Sequence, residues 1–119
     1  MLSYRMNMKR LYIATPINAR TEKTLEEKKL AAKHRVNMLK EIISEDERFD
    51  EYTELVSTFD ISTIGSMTSE EQALGMCVTA VLESNAIYLD HGWTGSKGCN
   101  LEYRAAKLYD KKIYEHDKL

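Results

Sequence analysis

Short apolar runs alternate with longer amphipathic stretches along the 119 residues of the chain. Four of the runs are rich in aliphatic, β-branched and aromatic residues, which favour strands buried in a sheet. The first run is opened by basic residues and closed by Pro16, which cannot donate to a strand ladder. We therefore predict four strands, at residues 9–15, 54–59, 86–89 and 112–114.

The three intervening stretches repeat apolar residues at helical spacing and carry charged residues on their other faces. They predict helices over residues 24–44, over 69–85 with Ser69 as N-cap, and from the 90–98 loop to about 109. The predicted buried positions are Leu25, Ala32, Val36, Leu39 and Ile43 in the first helix, Ala73, Met76 or Cys77, Ala80, Val81 and Ser84 in the second, and Leu101, Ala105 and Leu108 in the third. Regular alternation of strands and helices predicts an α/β fold, an open parallel sheet with helices on both faces.

Composition supports one folded domain spanning residues 1–119, because the chain is 43% hydrophobic and 30% charged, with one Pro and five Gly. A net charge of -2 argues against a nucleic acid polymer or a membrane surface as partner. Two cysteines are too few for a disulfide scaffold. The chain shows no leader pattern and no apolar run of the ~20 residues that span a bilayer, so we expect a cytoplasmic protein.

Ligands of open parallel sheets bind at the carboxyl ends of the strands, which selects the loops at residues 15–21 and 90–98. Both loops offer small, hydroxylated or amide side chains near a helix start, a setting that suits an anion such as phosphate. The candidate binding residues are Thr15, Pro16, Ile17, Asn18 and Arg20 in the first loop and Asp90, His91, Gly92, Trp93, Ser96 and Gly98 in the second. Neither loop matches GxxxxGK[ST] or GxGxxG, which argues against a P-loop nucleotidase or a dinucleotide oxidoreductase.

Glu102 is the main candidate catalytic residue, because it follows the second loop in what we expect to be the first turn of the third helix. The helix dipole would favour its ionised form there, and an ionised carboxylate can act as nucleophile in glycosidic cleavage. Acids are also common in first turns for electrostatic reasons alone. Tyr12 in the first strand can orient Glu102 or can be a simple core residue.

Other loop residues have two interpretations each. Trp93 can cover a nucleobase or seal a subunit contact, and His91 can be a general acid or a solvated loop residue. Cys99 at a helix start can be a nucleophile of lowered pKa, although no third group orients it. His34 and His116 are expected at the surface. No cluster has metal-ligand spacing, and we predict neither a metal nor a cofactor.

Two segments carry a resemblance: LYIATPI at the first strand, and AIYLDHGWTGSKGCNLEYRAAKLYDKKIY from Ala86 onwards. They resemble the nucleoside 2-deoxyribosyltransferase-like superfamily, in particular its DUF4406 branch. The resemblance implies a Rossmann-like or flavodoxin-like sheet of four or five strands, a homodimer or larger homo-oligomer, and N-glycosidic bond chemistry on a nucleoside or nucleotide. It implies that Glu102 is the nucleophile, that Tyr12 supports it, and that residues 18–21 with Ser96 and Gly98 hold a 5′-phosphate.

The chain departs from the pattern of the resembled proteins at two acidic positions. An Asp on the helix before the third strand corresponds by spacing to Cys77, and an acid at the start of that strand corresponds to Asn85. Loss of a general acid can slow a reaction by about 10²- to 10⁴-fold. We therefore keep two alternative functions. One is an N-glycosidase or 2-deoxyribosyltransferase, and the other is a catalytically impaired protein that binds a nucleotide-like small molecule.

Overall fold

The computed structural model describes residues 8–17, 24–61 and 69–119. These residues form four strands and three α-helices. The strands are β1 (Lys9–Ala14), β2 (Tyr52–Val56), β3 (Ala86–Leu89) and β4 (Lys112–Glu115), and the helices are α1 (Leu25–Ser44), α2 (Glu70–Leu82) and α3 (Lys97–Leu108).

All four strands are parallel and lie in the order β2-β1-β3-β4. The predicted α/β open parallel sheet is confirmed. The chain moves from β1 to β2 in one direction and then crosses back to β3 on the other side of β1. The carboxyl ends of β1 and β3 are therefore the topological switch point, where ligands of such sheets bind.

The two faces of the sheet pack against different helices. Leu11 and Ile13 of β1 contact the α1 side, in a core cluster with Leu39. Tyr12 and Ala14, which alternate with them, lie in the opposite cluster with residues of α2 and α3 such as Val81. Successive side chains of a strand point to opposite faces of the sheet, so consecutive β1 side chains pack into two different cores.

Side chains cap the first two helices, and the cap at Ser69 was predicted. Thr24 Oγ1 accepts from the Glu27 backbone N–H at 3.2 Å. Ser69 and Gln72 cap each other reciprocally at the start of α2, which satisfies amide groups that the first turn leaves unpaired. None of the helices in the described ranges is long and apolar enough to cross a membrane.

The largest differences from the predicted boundaries are in β2 and α2. β2 covers Tyr52–Val56 rather than 54–59, because Ser57 caps a short 3-10 helix over Thr58–Asp60 and ends the strand. The Asp60 carboxylate accepts from the Ser57 backbone N–H at 2.8 Å, which fixes that turn. Helix α2 ends at Leu82 rather than near residue 85.

Some predicted core leucines are exposed. Leu25 is 58% exposed at the first residue of α1, and Leu108 is 79% exposed at the last residue of α3. Leu101 also faces outward, and its helix instead buries Cys99, Glu102 and Ala106. In α2 the buried position is Cys77 rather than Met76.

We predict that Leu39→Ala lowers the free energy of unfolding by about 2–5 kcal/mol, because the fully buried side chain leaves a cavity between α1 and the sheet. Urea denaturation measures the change. The matched control is Met38→Ala on the same helix, where the side chain is 46% exposed and the expected loss is below about 1 kcal/mol. Equal losses for the two variants would contradict the packing of α1.

Candidate functional site

The predicted site residues lie in two places near the carboxyl edge of the sheet. One is the Glu102 cluster, formed by Tyr12, Cys77 and Glu102 on the face covered by α2 and α3. The other is a pocket on the α1 side, here named the α1 pocket. It is lined by Thr15, Pro16, Lys28, Ala31, Ala32, Arg35, Asp90, His91, His116 and Asp117.

Glu102 is a buried carboxyl group, 6% exposed, on the inner face of α3. It is the sixth residue of that helix, so it lies in the second turn rather than the first. Burial raises the pKa of Glu102 to about 7, and a hydrogen bond from Tyr12 partly opposes that rise. The expected dipole-favoured ionisation is therefore wrong: desolvation dominates because the side chain points into the core.

Tyr12 connects the two other members of the cluster. It is 1% exposed, and both Glu102 and Cys77 interact with its phenol. Burial, followed by the nearby Glu102, raises the pKa of Tyr12 well above its ordinary value. The phenol therefore stays protonated and is a donor available to the carboxylate.

Neither cysteine is a ready nucleophile. The Cys77 thiol donates to Thr58 Oγ1 at 3.3 Å, and burial raises its pKa. Burial also raises the pKa of Cys99 to about 12. The lowered thiol pKa that we considered for Cys99 is wrong, because the thiol lies inside the core rather than in the open helix terminus.

The loop before α3 uses its small residues for structure. Ser96 Oγ accepts from the Cys99 backbone N–H at 3.2 Å and caps the helix. A Cβ at Gly98 would lie 3.3 Å from Leu74 Cδ2, so glycine lets α3 approach α2 closely. Gly92 has a φ of +81°, the left-handed conformation that favours glycine. These roles do not require a phosphate.

Trp93 packs against a residue of the same chain. Its ring centroid is 4.8 Å from that of Tyr103 on α3, and the two rings are tilted by 40°. The side chain is half-buried against the core on the α2 and α3 side. The structure thus provides a packing partner for Trp93 within the chain.

The α1 pocket has a volume of about 560 Å³ and contains an ion pair between Arg35 and Asp90. Arg35 Nη2 donates to Asp90 Oδ1 at 2.8 Å and Nε donates to Oδ2 at 3.0 Å, a two-pronged contact. Asp90 is 2% exposed, so the guanidinium compensates a buried charge. Sequence reasoning missed Arg35, although a basic residue on the sheet side of an amphipathic helix was an available signal.

Two histidines line the same pocket. Tyr88 Oη and His116 Nδ1 are 2.6 Å apart, and His116 Nε2 is 3.4 Å from Arg35 Nη2. His116, which we predicted as a surface residue, is partly exposed, and its ring contacts Tyr88 near the end of β3. His91 Nδ1 lies 3.0 Å from Asp117, and His91 is exposed as one of our interpretations expected.

Several other predicted residues lie elsewhere. Asn85 is at the amino end of β3, where its Oδ1 accepts from the Arg10 backbone N–H at 2.8 Å. It therefore lies at the amino edge of the sheet, away from the carboxyl ends of β1 and β3. Ile17 is half-buried and does not line the α1 pocket. Asn18 and Arg20 fall outside the described residues.

The geometry defines an α/β protein with a parallel sheet and polar groups gathered at the switch point of its carboxyl edge. A family described as "Domain of unknown function (DUF4406)" matches residues 9–115. The chain belongs to this family. None of the curated proteins and none of the solved structures that were compared matches the chain.

We predict that Glu102→Gln stabilises the protein at alkaline pH. The folded-state pKa of about 7 lies above the ordinary 4.5, so the unfolding free energy falls as pH rises from about 4.5 to 7. The full shift corresponds to about 3 kcal/mol. Glutamine removes this loss, and urea denaturation should show a much larger gain at pH 8 than at pH 5.

The control is Glu41→Gln on the exposed face of α1, which should change the unfolding free energy little at either pH. If Glu102→Gln and the parent lost the same stability between pH 5 and pH 8, Glu102 would not be the buried titrating group.

Proposed function

We propose that this chain is an N-glycosidase or 2-deoxyribosyltransferase of the nucleoside 2-deoxyribosyltransferase-like superfamily, acting on a nucleoside or nucleotide. Glu102 is the nucleophile and Tyr12 orients it. The observation that carries the proposal is the buried Tyr12–Glu102 pair, a carboxyl group held by a phenol inside a largely apolar cluster.

The chemistry requires Glu102 in its ionised form. Its carboxylate attacks the anomeric carbon as the carbon–nitrogen bond breaks, and the bonding electrons leave with the base, which takes up a proton. Water or a second base then displaces the carboxylate from the sugar. Burial keeps bulk water from the carboxylate, and the Tyr12 hydrogen bond stabilises its charge.

Protonation of the departing base is the weak point of this mechanism. Cys77 neighbours Tyr12, in the region where the resembled proteins carry an Asp. Burial raises the pKa of its thiol, which makes Cys77 a poorer acid than a carboxyl group. This observation favours the second candidate, a protein that binds a nucleotide-like small molecule and has lost most of the catalysis.

A homodimer belongs to the same proposal. Leu30, Met38 and Ile42 of α1 are exposed apolar side chains on one side of that helix. They suit a contact with a second copy, which would cover them.

We predict that the protein releases free base from one member of a panel of ribo- and deoxyribonucleosides and their 5′-monophosphates. Glu102→Gln should abolish the release and keep ligand binding, because glutamine has the size of glutamate and no nucleophilic charge. Chromatography measures the base, and thermal shifts on the same mixtures measure binding. Glu41→Gln should behave as the parent does.

The pH profile separates two roles of Glu102. A nucleophile must be ionised, so kcat/KM should rise with pH through about 7 and then level off. A fall through the same range would assign Glu102 as a general acid instead. Thermal stabilisation without base release in the parent would favour the binding protein, and unchanged turnover in Glu102→Gln would exclude Glu102 as nucleophile.

We predict that Cys77→Asp raises base release by about 10²-fold or more, since it supplies the missing acid next to the Glu102 cluster. The new carboxyl group is buried near Glu102, so the melting temperature should fall. Cys77→Ser is the matched control, which changes the polarity without adding an acid and should leave the rate low. An increase of equal size in Cys77→Ser would contradict the acid role.

A further inference from the structure

The exposed side of α1 combines apolar and negatively charged side chains. Residues three, four and seven positions apart lie on one side of a helix. On this side the exposed members are Glu27, Leu30, His34, Met38, Glu41, Ile42 and Glu45. None of the three glutamates forms an ion pair within the described residues. We name this surface the acidic side of α1.

The exposed side of α3 carries charges of the opposite sign. Exposed residues follow one another there at intervals of four, three and four positions, and they are Lys97, Leu101, Arg104 and Leu108. The acid of this helix, Glu102, is buried on its inner side. Lys97 and Arg104 have no ion-pair partner in the part of the chain that the structure describes. We name this surface the basic side of α3.

These two surfaces cannot cover each other within one copy of the chain. Helix α1 packs on one face of the sheet, where Leu39 and Ile43 belong to the core, and α3 packs on the other face through Ala106. Each surface therefore combines exposed apolar side chains with charges that no neighbour compensates. Exposed apolar patches mark sites of contact with other molecules, and complementary charge selects the partner.

A second copy can cover the acidic side of α1 with one of two surfaces. If α1 paired with α1 across a two-fold axis, the same surface would face itself. In an antiparallel pair centred on His34, Glu27 of one copy would lie opposite Glu41 of the other, and the like charges would repel each other. The basic side of α3 offers Lys97 and Arg104 instead.

We propose that a second copy of this chain covers the acidic side of α1 with the basic side of its own α3. The leucines of α3 then pack against Leu30 and Met38, and the charged side chains pair around them. This inference rests on the homo-oligomer of the proposed function and names its two surfaces. A pair joined in this way leaves one surface of each kind free, so further copies add head to tail in a ring or a chain.

The contact joins one helix to another, which is small for a protein interface. We therefore expect an association that grows with protein concentration and weakens as salt screens the charges. Sedimentation velocity over a concentration series, at low and at high salt, measures it in the parent protein.

Two variants with reversed charges test which surfaces meet. The α1 variant carries Glu41→Lys and Glu45→Lys, and the α3 variant carries Lys97→Glu and Arg104→Glu. Each variant has two surfaces of the same sign, so each alone should associate at least about tenfold more weakly than the parent. All four positions are exposed, and melting curves check that both variants fold.

A mixture of the two variants gives the decisive measurement. The reversed α1 surface of one variant is complementary to the reversed α3 surface of the other, and their unchanged surfaces are complementary as well. The mixture should therefore associate at concentrations at which each variant alone is monomeric.

The control variant carries Lys29→Glu and Lys33→Glu. It changes the net charge as the α3 variant does, but at exposed residues outside the acidic side of α1, and it should not weaken the association. A loss as large as that of the α3 variant would show that net charge alone matters and would overturn the inference.

Three further outcomes would overturn it. They are a parent that is monomeric at every concentration, an α3 variant that associates as the parent does, and a mixture that associates no better than its components. Base release is measured in the same samples. A monomeric parent that releases base would overturn this inference alone, whereas an oligomer with the expected charge dependence and no base release would support it and contradict the proposed chemistry.

Discussion

Strands β1 and β3 lie side by side in the middle of the sheet, and the pairing of Leu11 with Ala86 through Ala14 with Leu89 fixes their register. Every one of these paired residues is buried, because helices cover both faces. This pairing brings the ends of two strands that are more than 70 residues apart in the sequence to one edge. Both candidate sites depend on it, since Tyr12 and Thr15 come from the first strand and its end, and Asp90 follows the second.

Burial of polar groups has opposite consequences at the two sites. Glu102 has no cationic partner among the causes that set its pKa, so desolvation raises that pKa and makes the ionised form costly. Asp90 has Arg35 as a bidentate partner, so its charge is compensated within the fold. A carboxylate without a cation is available for reaction, whereas a paired carboxylate is better suited to hold an arginine in a fixed orientation.

In the proposed reaction, the Glu102 cluster supplies a nucleophile but no strong acid. Tyr12 interacts with Glu102, but the neighbouring side chain that could protonate a leaving base is the buried thiol of Cys77. The polar residues that can supply a proton at the same edge, such as His91, line the other pocket. A single substitution at Cys77 therefore bears directly on the choice between an enzyme and a binding protein.

Local sequence determined the helices and most of the strands. Several local features encode structure through contacts within one turn or one strand. They are the capping pair Ser69 and Gln72, the 3.6-residue period of α1 and the apolar run Ala86–Leu89. The alternation of strands and helices also predicted which loops lie at the carboxyl edge. The sequence further indicated Glu102 and Tyr12 as a candidate pair. Period and capping are local properties, and a sequence displays them directly.

The tertiary structure alone decided the contacts and the pKa values of the candidate site residues. The contact of Arg35 with Asp90 joins residues 55 positions apart, and that of Tyr88 with His116 joins residues 28 apart. The raised pKa of Glu102 and that of Cys99 both reverse what the start of a helix suggested, because burial outweighs the helix dipole. Desolvation and long-range ion pairs depend on which elements pack together, and no local pattern in the sequence specifies them.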